Sequence, residues 1–233
     1  MILISYCFGI GYRCNTDDFL SGLDIRKYSS PFSYMIIDLE TSLQFIVNKF
    51  NNFTDTKYIE NHNYKWNNQP WQCKLFFNKL FLPTSSEMNI NQMKRICCWN
   101  HHNLNDENII NTLKRRYTYL IDSLEKEENT LLLYIENIQI YSNDDYESYY
   151  NKDLCNDFLK NRKNVYICIL VPLLNYEKKP FLYQVFDNLH IIFYKSNMNG
   201  SINEYTDKSI NWHIIENMIL LTYNFVVNPK NNY

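Results

Sequence analysis

Cys14, His101 and His102 are the side chains whose type and setting point most directly to chemistry. Cys14 follows the apolar run Met1–Phe8 and the turn Gly9–Arg13, at the expected mouth of a short helix. Peptide dipoles and free N–H groups at a helix start favour a thiolate, the form in which cysteine attacks. Asp17 and Asp18 in the same first turn oppose this, because nearby negative charge disfavours a second anion. A lone cysteine is also a small buried hydrophobe, so a base is needed to complete the argument. His101 and His102 sit in the Cys97–Asn103 segment, at an element end where a base belongs. Adjacent residues project to opposite sides of an extended chain, so one of the two serves and the choice between them stays open. A thiol with an imidazole beside it is the arrangement for attack on an acyl carbon.

The same turn supports a second chemistry. A glycine turn that delivers a helix N-terminus is also a cradle for an anionic group, such as the phosphate of a nucleotide sugar. Gly9, Gly11, Arg13 and Asn15 would line such a site, and Arg116 on a later helix flanks an apolar stripe from which it can reach an anion. The spacing of Cys97, Cys98, His101 and His102 matches no zinc pattern, so neither a metal nor a cofactor is expected. Asp17–Asp18 and Asp144–Asp145 read as a helical turn and a loop rather than as metal-binding pairs.

The elements that must position these residues follow from hydrophobic pattern. Ile2, Leu3, Ile4, Tyr6 and Phe8 form a near-continuous apolar strand, as expected of one covered on both faces. Gly9 and Gly11 are two of only four glycines in the chain, so their clustering at its end is informative. Asn15 or Thr16 is the expected cap of the next helix and Gly22 its end. Leu39, Leu43, Ile46, Val47 and Phe50 fall at helical spacing behind Asp38, a candidate cap. Asn51–Asn68 reads as an irregular excursion, Gln72–Leu82 as one or two short strands and Glu87–Arg95 as a helical turn or two. Leu104 and Asn105 predict a staple and cap for the clearest helix, whose stripe is Ile109, Leu113, Tyr117, Leu120, Ile121 and Leu124. Leu131–Ile138, Val165–Val171 (stopped by Pro172) and Leu189–Tyr194 read as buried strands. Tyr146–Leu159 and Trp212–Ile219 read as helices, and Thr222–Val227 as a closing edge strand.

Strands separated by helices predict an α/β fold with three layers, a mostly parallel sheet carrying helices on both faces, in a single domain over 1–233. Sites in such folds lie beyond the carboxyl ends of the strands, where Gly9–Cys14 falls. With 45% hydrophobic and 16% aromatic residues, the chain has material for a core that buries roughly 70–75% of its unfolded surface. A net charge of −2, from 23 basic and 25 acidic residues, argues against a general nucleic-acid binder. Seven cysteines, an odd number at irregular spacing, suggest free thiols in a reducing, cytoplasm-like compartment. No apolar run approaches the roughly 18–20 residues of a membrane span, and Met1–Ile10 lacks the basic start of a leader. Partners narrow to a peptide or acyl substrate of unknown identity, with no nucleic acid and no membrane; oligomeric state is not legible.

Several motifs in register then carry a resemblance. ISYCFGIGYRC, the SSPFSYM that follows, NHHN at Asn100–Asn103, and LKRRYTYLIDSL leading into LLLYIEN together resemble a family of putative papain-like cysteine peptidases. That family shows a Ser-Leu-Gly turn with Cys, a Pro-Phe-Asp-Trp-like loop, a His-Asp or His-His-Asp motif, and a Tyr-x-Arg-Arg-like helix before a buried strand. The match runs from Met1 to about Ile138. The resemblance implies Cys14 as nucleophile, His101 or His102 as base and Gly11 as the residue shaping the turn. Ser33 and Tyr34 stand where the family has Asp and Trp, and Ile135 and Asn137 where it has an Arg-x-Glu-like pattern. A third, orienting residue is expected, with Asn103 and Asn137 as candidates.

Overall fold

The computed structural model describes residues 1–11, 15–26, 28–33, 35–65, 72–78, 97–99, 102–136, 152–174, 180–196 and 212–226. The apolar start is two strands, β1 (Ile2–Ile4) and β2 (Tyr6–Gly9), because the chain changes partner at Ser5. There the N–H groups of Ser5 and Tyr6 both reach the carbonyl of Asn129, at 2.9 and 3.2 Å. Then follow α1 (Asn15–Gly22), β3 (Met35–Ile37), α2 (Leu39–Val47), a 3-10 turn (Thr56–Tyr58), β4 (Ile59–Lys65), β5 (Gln72–Asn78) and β6 (Cys97–Trp99). The second half holds α3 (Glu107–Leu124), β7 (Thr130–Ile135), α4 (Lys152–Leu159), β8 (Val165–Leu174), β9 (Phe181–Phe186), β10 (Leu189–Ser196), α5 (Trp212–Thr222) and β11 (Tyr223–Phe225).

The fold is α/β, built on a five-stranded sheet in the order β2-β7-β8-β10-β9. β2, β7, β8 and β10 run parallel and only β9 is antiparallel. Alternation sends the side chains to two cores. Phe8, Leu132, Tyr134, Ile167, Ile169, Ile191 and Phe193 meet Leu43 of α2, Leu113 and Leu120 of α3 and Phe158 of α4 on one face. Cys7, Leu131, Leu133, Cys168, Leu170 and Ile192 meet Phe19 and Leu20 of α1 and Ile215 and Ile219 of α5 on the other. Each fully buried Leu, Ile or Phe contributes about 1.5–3 kcal/mol, so the two covered faces are the main source of stability. β1 pairs with β11 in a parallel two-stranded extension beside this sheet.

Two expected elements change. Pro172 does not stop its strand: β8 runs on to Leu174, paired with β10. The Leu170 carbonyl accepts from Glu136 on the β7 side, so Pro172, of the same parity, turns its missing N–H toward the same side, where β7 has already ended at Ile135. The supposed excursion 51–68 contains β4, which pairs with β5 in a four-stranded antiparallel sheet of order β3-β6-β5-β4. Strand residues as polar as Glu60, Asn61 and Asn63 hide this element from a hydrophobic count, since an edge strand needs few apolar side chains. Glu87–Arg95 and Tyr146 lie outside the described residues.

Caps sharpen the ends. Asp38 accepts from the N–H of Thr41 at 2.8 Å and starts α2 as expected. The cap of α3 is Asp106 rather than Asn105: its carboxylate accepts from Asn108 N–H at 2.9 Å. Arg115 and Lys114 are exposed on that helix, while Arg116 is half-buried.

Candidate functional site

The carboxyl end of β2 is shaped by what its glycines allow. A Cβ on Gly9 would stand 2.9 Å from Thr16 Cγ2 and 3.2 Å from Asp17 Oδ1, so the first turn of α1 sits directly against the strand end. Gly11 has φ +154° and a Cβ there would fall 2.5 Å from the Tyr134 ring and 2.9 Å from the Ile37 carbonyl. Both the backbone angle and the space therefore require glycine. The turn's carbonyls are held from two helices. The Thr16 hydroxyl of α1 donates to Gly11 O, and the Ser42 hydroxyl of α2 lies 2.5 Å from Ile10 O and 2.9 Å from Asp38 O, a shared donor. Ile10 N–H donates to Leu133 O at 2.8 Å, tying the turn to β7.

Beside this turn lies a carboxylate that motif reasoning treated only as an obstacle. Asp17 is 2% exposed, and among the described residues neither of its oxygens has a hydrogen-bond partner. Arg26 Nε stands 3.6 Å from Oδ1, an ion pair without a hydrogen bond. Arg26 is itself held by Ser21 and Ser29, whose hydroxyls accept at 3.3 and 3.1 Å. Burial pushes the Asp17 carboxyl up from its ordinary value, while Arg26, the Ser33 hydroxyl and Arg116 pull it back and Asp18 adds slightly to the rise. The net direction is upward. The Ser33 hydroxyl is buried too and has no hydrogen-bond partner among the described residues.

Ser33 also touches the histidine segment. The antiparallel pair Met35↔Trp99 joins β3 to β6, which brings Ser33, ahead of β3, near His102, beyond β6. His102 Nε2 lies 3.1 Å from the Ser33 carbonyl oxygen. A carbonyl only accepts, so Nε2 carries the proton and donates. In the neutral ring the lone pair then belongs to Nδ1. Loop and strand register thus bring one half-buried imidazole to a carbonyl that favours its Nε2–H tautomer.

Of the expected site residues, Gly9, Gly11, His102 and Arg116 are described with their surroundings, and Asn15 opens α1. Arg13, Cys14 and His101 lie outside the described residues, as does Asn137. Asn103 is occupied otherwise: its side-chain oxygen accepts from Asn105 N–H at 3.2 Å. The orienting partner of His102 is a main-chain carbonyl, which no residue-type search can find. Arg116 is close enough to Asp17 to favour its ionised form, so the anion it faces is an internal one. Asp17 could have been suspected from spacing, since it stands three residues before the buried Leu20 and shares its helix face.

The other described thiols are poor nucleophiles. Cys7, Cys97, Cys98, Cys155 and Cys168 are all buried and free. Burial pushes Cys155 and Cys168 up to about 12 and Cys97 well above its ordinary value. Among the described residues no three His, Cys, Asp or Glu side chains gather as metal ligands, and no helix is long and apolar enough to cross a membrane.

A family model described as putative papain-like cysteine peptidase matches residues 5–169, from Ser5 ahead of the glycine turn to Ile169 in β8. The chain belongs to that family. The match to the putative papain-like cysteine peptidases covers the glycine turn, the Ser33 loop, the His101–His102 segment, β2, β7 and the first half of β8. No curated protein and no solved structure matches the chain.

Proposed function

We propose that the protein is a thiol acyl hydrolase of the cysteine peptidase kind, with Cys14 as nucleophile and His102 as the base. The observation that carries this reading is the Ser33 carbonyl on His102 Nε2, which puts the proton of the neutral ring on Nε2 and its lone pair on Nδ1.

The chemistry runs in two halves. His102 Nδ1 takes the thiol proton and the Cys14 sulfur bonds to the acyl carbon, whose oxygen becomes the oxyanion. Backbone N–H groups at the start of α1 supply its stabilisation, the largest contribution in reactions of this type. Collapse breaks the bond to the leaving group, which receives the proton from Nδ1. A water then gives a proton to the same nitrogen, its oxygen attacks the thioester, and the acid departs as the thiol is restored. Asp17 is a lesser obstacle to the thiolate than its sequence position suggests, because Arg26 and Arg116 offset its charge and burial pushes its carboxyl up from the ordinary value. Those arginines also weaken the anion-cradle alternative, since Arg26 and Arg116 already face a carboxylate of the chain itself.

An acylating electrophile tests the proposal. Intact-mass and peptide mapping after brief exposure at neutral pH is expected to find the adduct at Cys14 and not at Cys155 or Cys168. Cys14→Ser is expected to abolish it. A label spread over several cysteines only after unfolding would overturn the reading.

A further inference from the structure

We propose that the main-chain N–H of Gly11 is an oxyanion donor of the hydrolase and that Ser42 is the positioning residue that aims it. This rests on the reading of Cys14 as the nucleophile.

The orientation follows from the peptide between Ile10 and Gly11. Its carbonyl oxygen lies 2.5 Å from the Ser42 hydroxyl, which belongs to a fully buried side chain of α2. The peptide is trans, so its C=O and N–H point in opposite directions. With Ile10 O turned to α2, the Gly11 N–H is turned away from it. α2 packs on one face of the sheet and α1, which Cys14 precedes, on the other. Gly11 is buried, and among the described residues no acceptor takes its N–H. Buried N–H groups are nearly always paired, so this donor at the carboxyl end of β2 has its capacity left for a ligand.

The neighbouring contacts keep donor and nucleophile together. The Thr16 hydroxyl donates to Gly11 O and closes the loop 11–16, in which Cys14 lies. The Ile10 N–H bond to Leu133 fixes the preceding peptide, not this one. Glycine admits both signs of φ, so the Ile10–Gly11 peptide could turn over at little cost without a grip on its carbonyl. Ser42 is that grip.

As the Cys14 sulfur bonds to the acyl carbon, the carbonyl electron pair moves onto the oxygen, and the Gly11 N–H donates to it beside the N–H groups at the start of α1. On collapse the pair returns and the leaving group departs with the proton from His102. A donor fixed before the reaction needs no reorganisation as charge develops, and loss of one such donor lowers rates by about 10²–10³-fold.

Two probes separate this role from thiol activation and from folding. p-Nitrophenyl acetate acylates Cys14 through an oxyanion, whereas iodoacetamide alkylates it at a saturated carbon without one. Both rates are read at Cys14 by peptide mass in the full chain. In Ser42→Ala, acylation is expected to fall at least about tenfold, a part of the full loss, with alkylation unchanged. An ester in place of the Ile10–Gly11 amide, in a full chain joined at Cys14, removes the N–H and leaves every side chain. It is expected to lower acylation by about 10²-fold, again with alkylation unchanged. An unchanged ratio of the two rates in the ester chain, or an equal fall in both, would overturn the assignment of Gly11. A ratio that moves there but not in Ser42→Ala would overturn the role of Ser42. If Ser42→Ala does not fold, the ester chain decides alone. A wild-type Cys14 that meets both probes as an ordinary thiol would remove the hydrolase reading and this donor with it. An activated Cys14 with an unmoved ratio would remove only the donor.

Discussion

Two buried polar clusters lie at opposite ends of the same sheet, one with its hydrogen bonds made and the other without. At the amino end, His190 in β10 and Tyr223 in β11 share a hydrogen bond of 2.7 Å between the hydroxyl and Nδ1, and the Cys168 thiol lies beside the same hydroxyl. At the carboxyl end, Asp17 and Ser33 are buried as deeply, yet their side-chain oxygens have no hydrogen-bond partner among the described residues. The first cluster is satisfied and packed among Tyr166, Phe225 and aliphatic residues; nothing is left for it to do but hold the α1 and α5 layer to the sheet. The second is unsatisfied, adjoins two glycines that admit close approach, and connects to a histidine whose tautomer is set. A histidine with a strong partner and a thiol nearby is therefore not enough to mark a site. Position at the carboxyl edge and unspent hydrogen-bonding capacity separate the two.

The largest effect should come from the glycine that shapes the carboxyl end. Gly11→Ala forces a side chain into the Tyr134 ring at a backbone angle that disfavours it, so a loss of at least about 3 kcal/mol is expected from strain and overpacking together. Urea unfolding measures it, and a loss below about 1 kcal/mol would mean that the turn adapts. Next comes Tyr223→Phe, which strips His190 of its partner at the other end. A loss of about 1–3 kcal/mol is expected, the cost of an unsatisfied buried group, with Cys14 labelling unaffected. A change in that labelling would erase the distinction between the two clusters.

Asp17→Asn should behave oppositely to Tyr223→Phe. Removal of a buried carboxylate whose oxygens accept no hydrogen bond among the described residues is expected to raise the melting temperature near neutral pH while it disturbs the labelling profile of Cys14, as at sites where stability is given up for function. A lower melting temperature with an unchanged profile would make Asp17 structural. The smallest effects are in pH dependence. Burial holds His190 below its ordinary 6.5, so the unfolded chain takes the proton first as pH falls. Its contribution is complete above 6.5 and is lost as pH drops from there toward the folded value. Asp17 has the opposite sign: its raised folded value gives a contribution present below 3.8 and lost as pH rises through the folded value. Thermal melts across pH should lose the second slope in Asp17→Asn and keep the first.

The contrast also explains what the sequence could convey. The parallel strands, α2 with its Asp38 cap and the stripe of α3 were legible because burial on a helix or a doubly covered strand imposes a period or an apolar run. β4 was not, since an edge strand carries no such pattern, and Pro172 misled because a proline stops a strand only where its N–H is needed. At the site, the glycine pair was legible as a turn and His102 as an element end. The Ser33 carbonyl was invisible, because every residue has one and only register decides which histidine it meets. Asp17 was noticed for its charge and misjudged for its burial, which depends on the glycine that lets α1 approach β2.

The account turns on whether His102 activates Cys14, and the direct measurement is the rate of Cys14 alkylation against pH in the wild type and in His102→Gln. The account predicts a wild-type midpoint well below about 8.5, the value of an ordinary thiol, and a return to that value in the variant. A wild-type midpoint at or above the ordinary value, unmoved by the loss of His102, would contradict it.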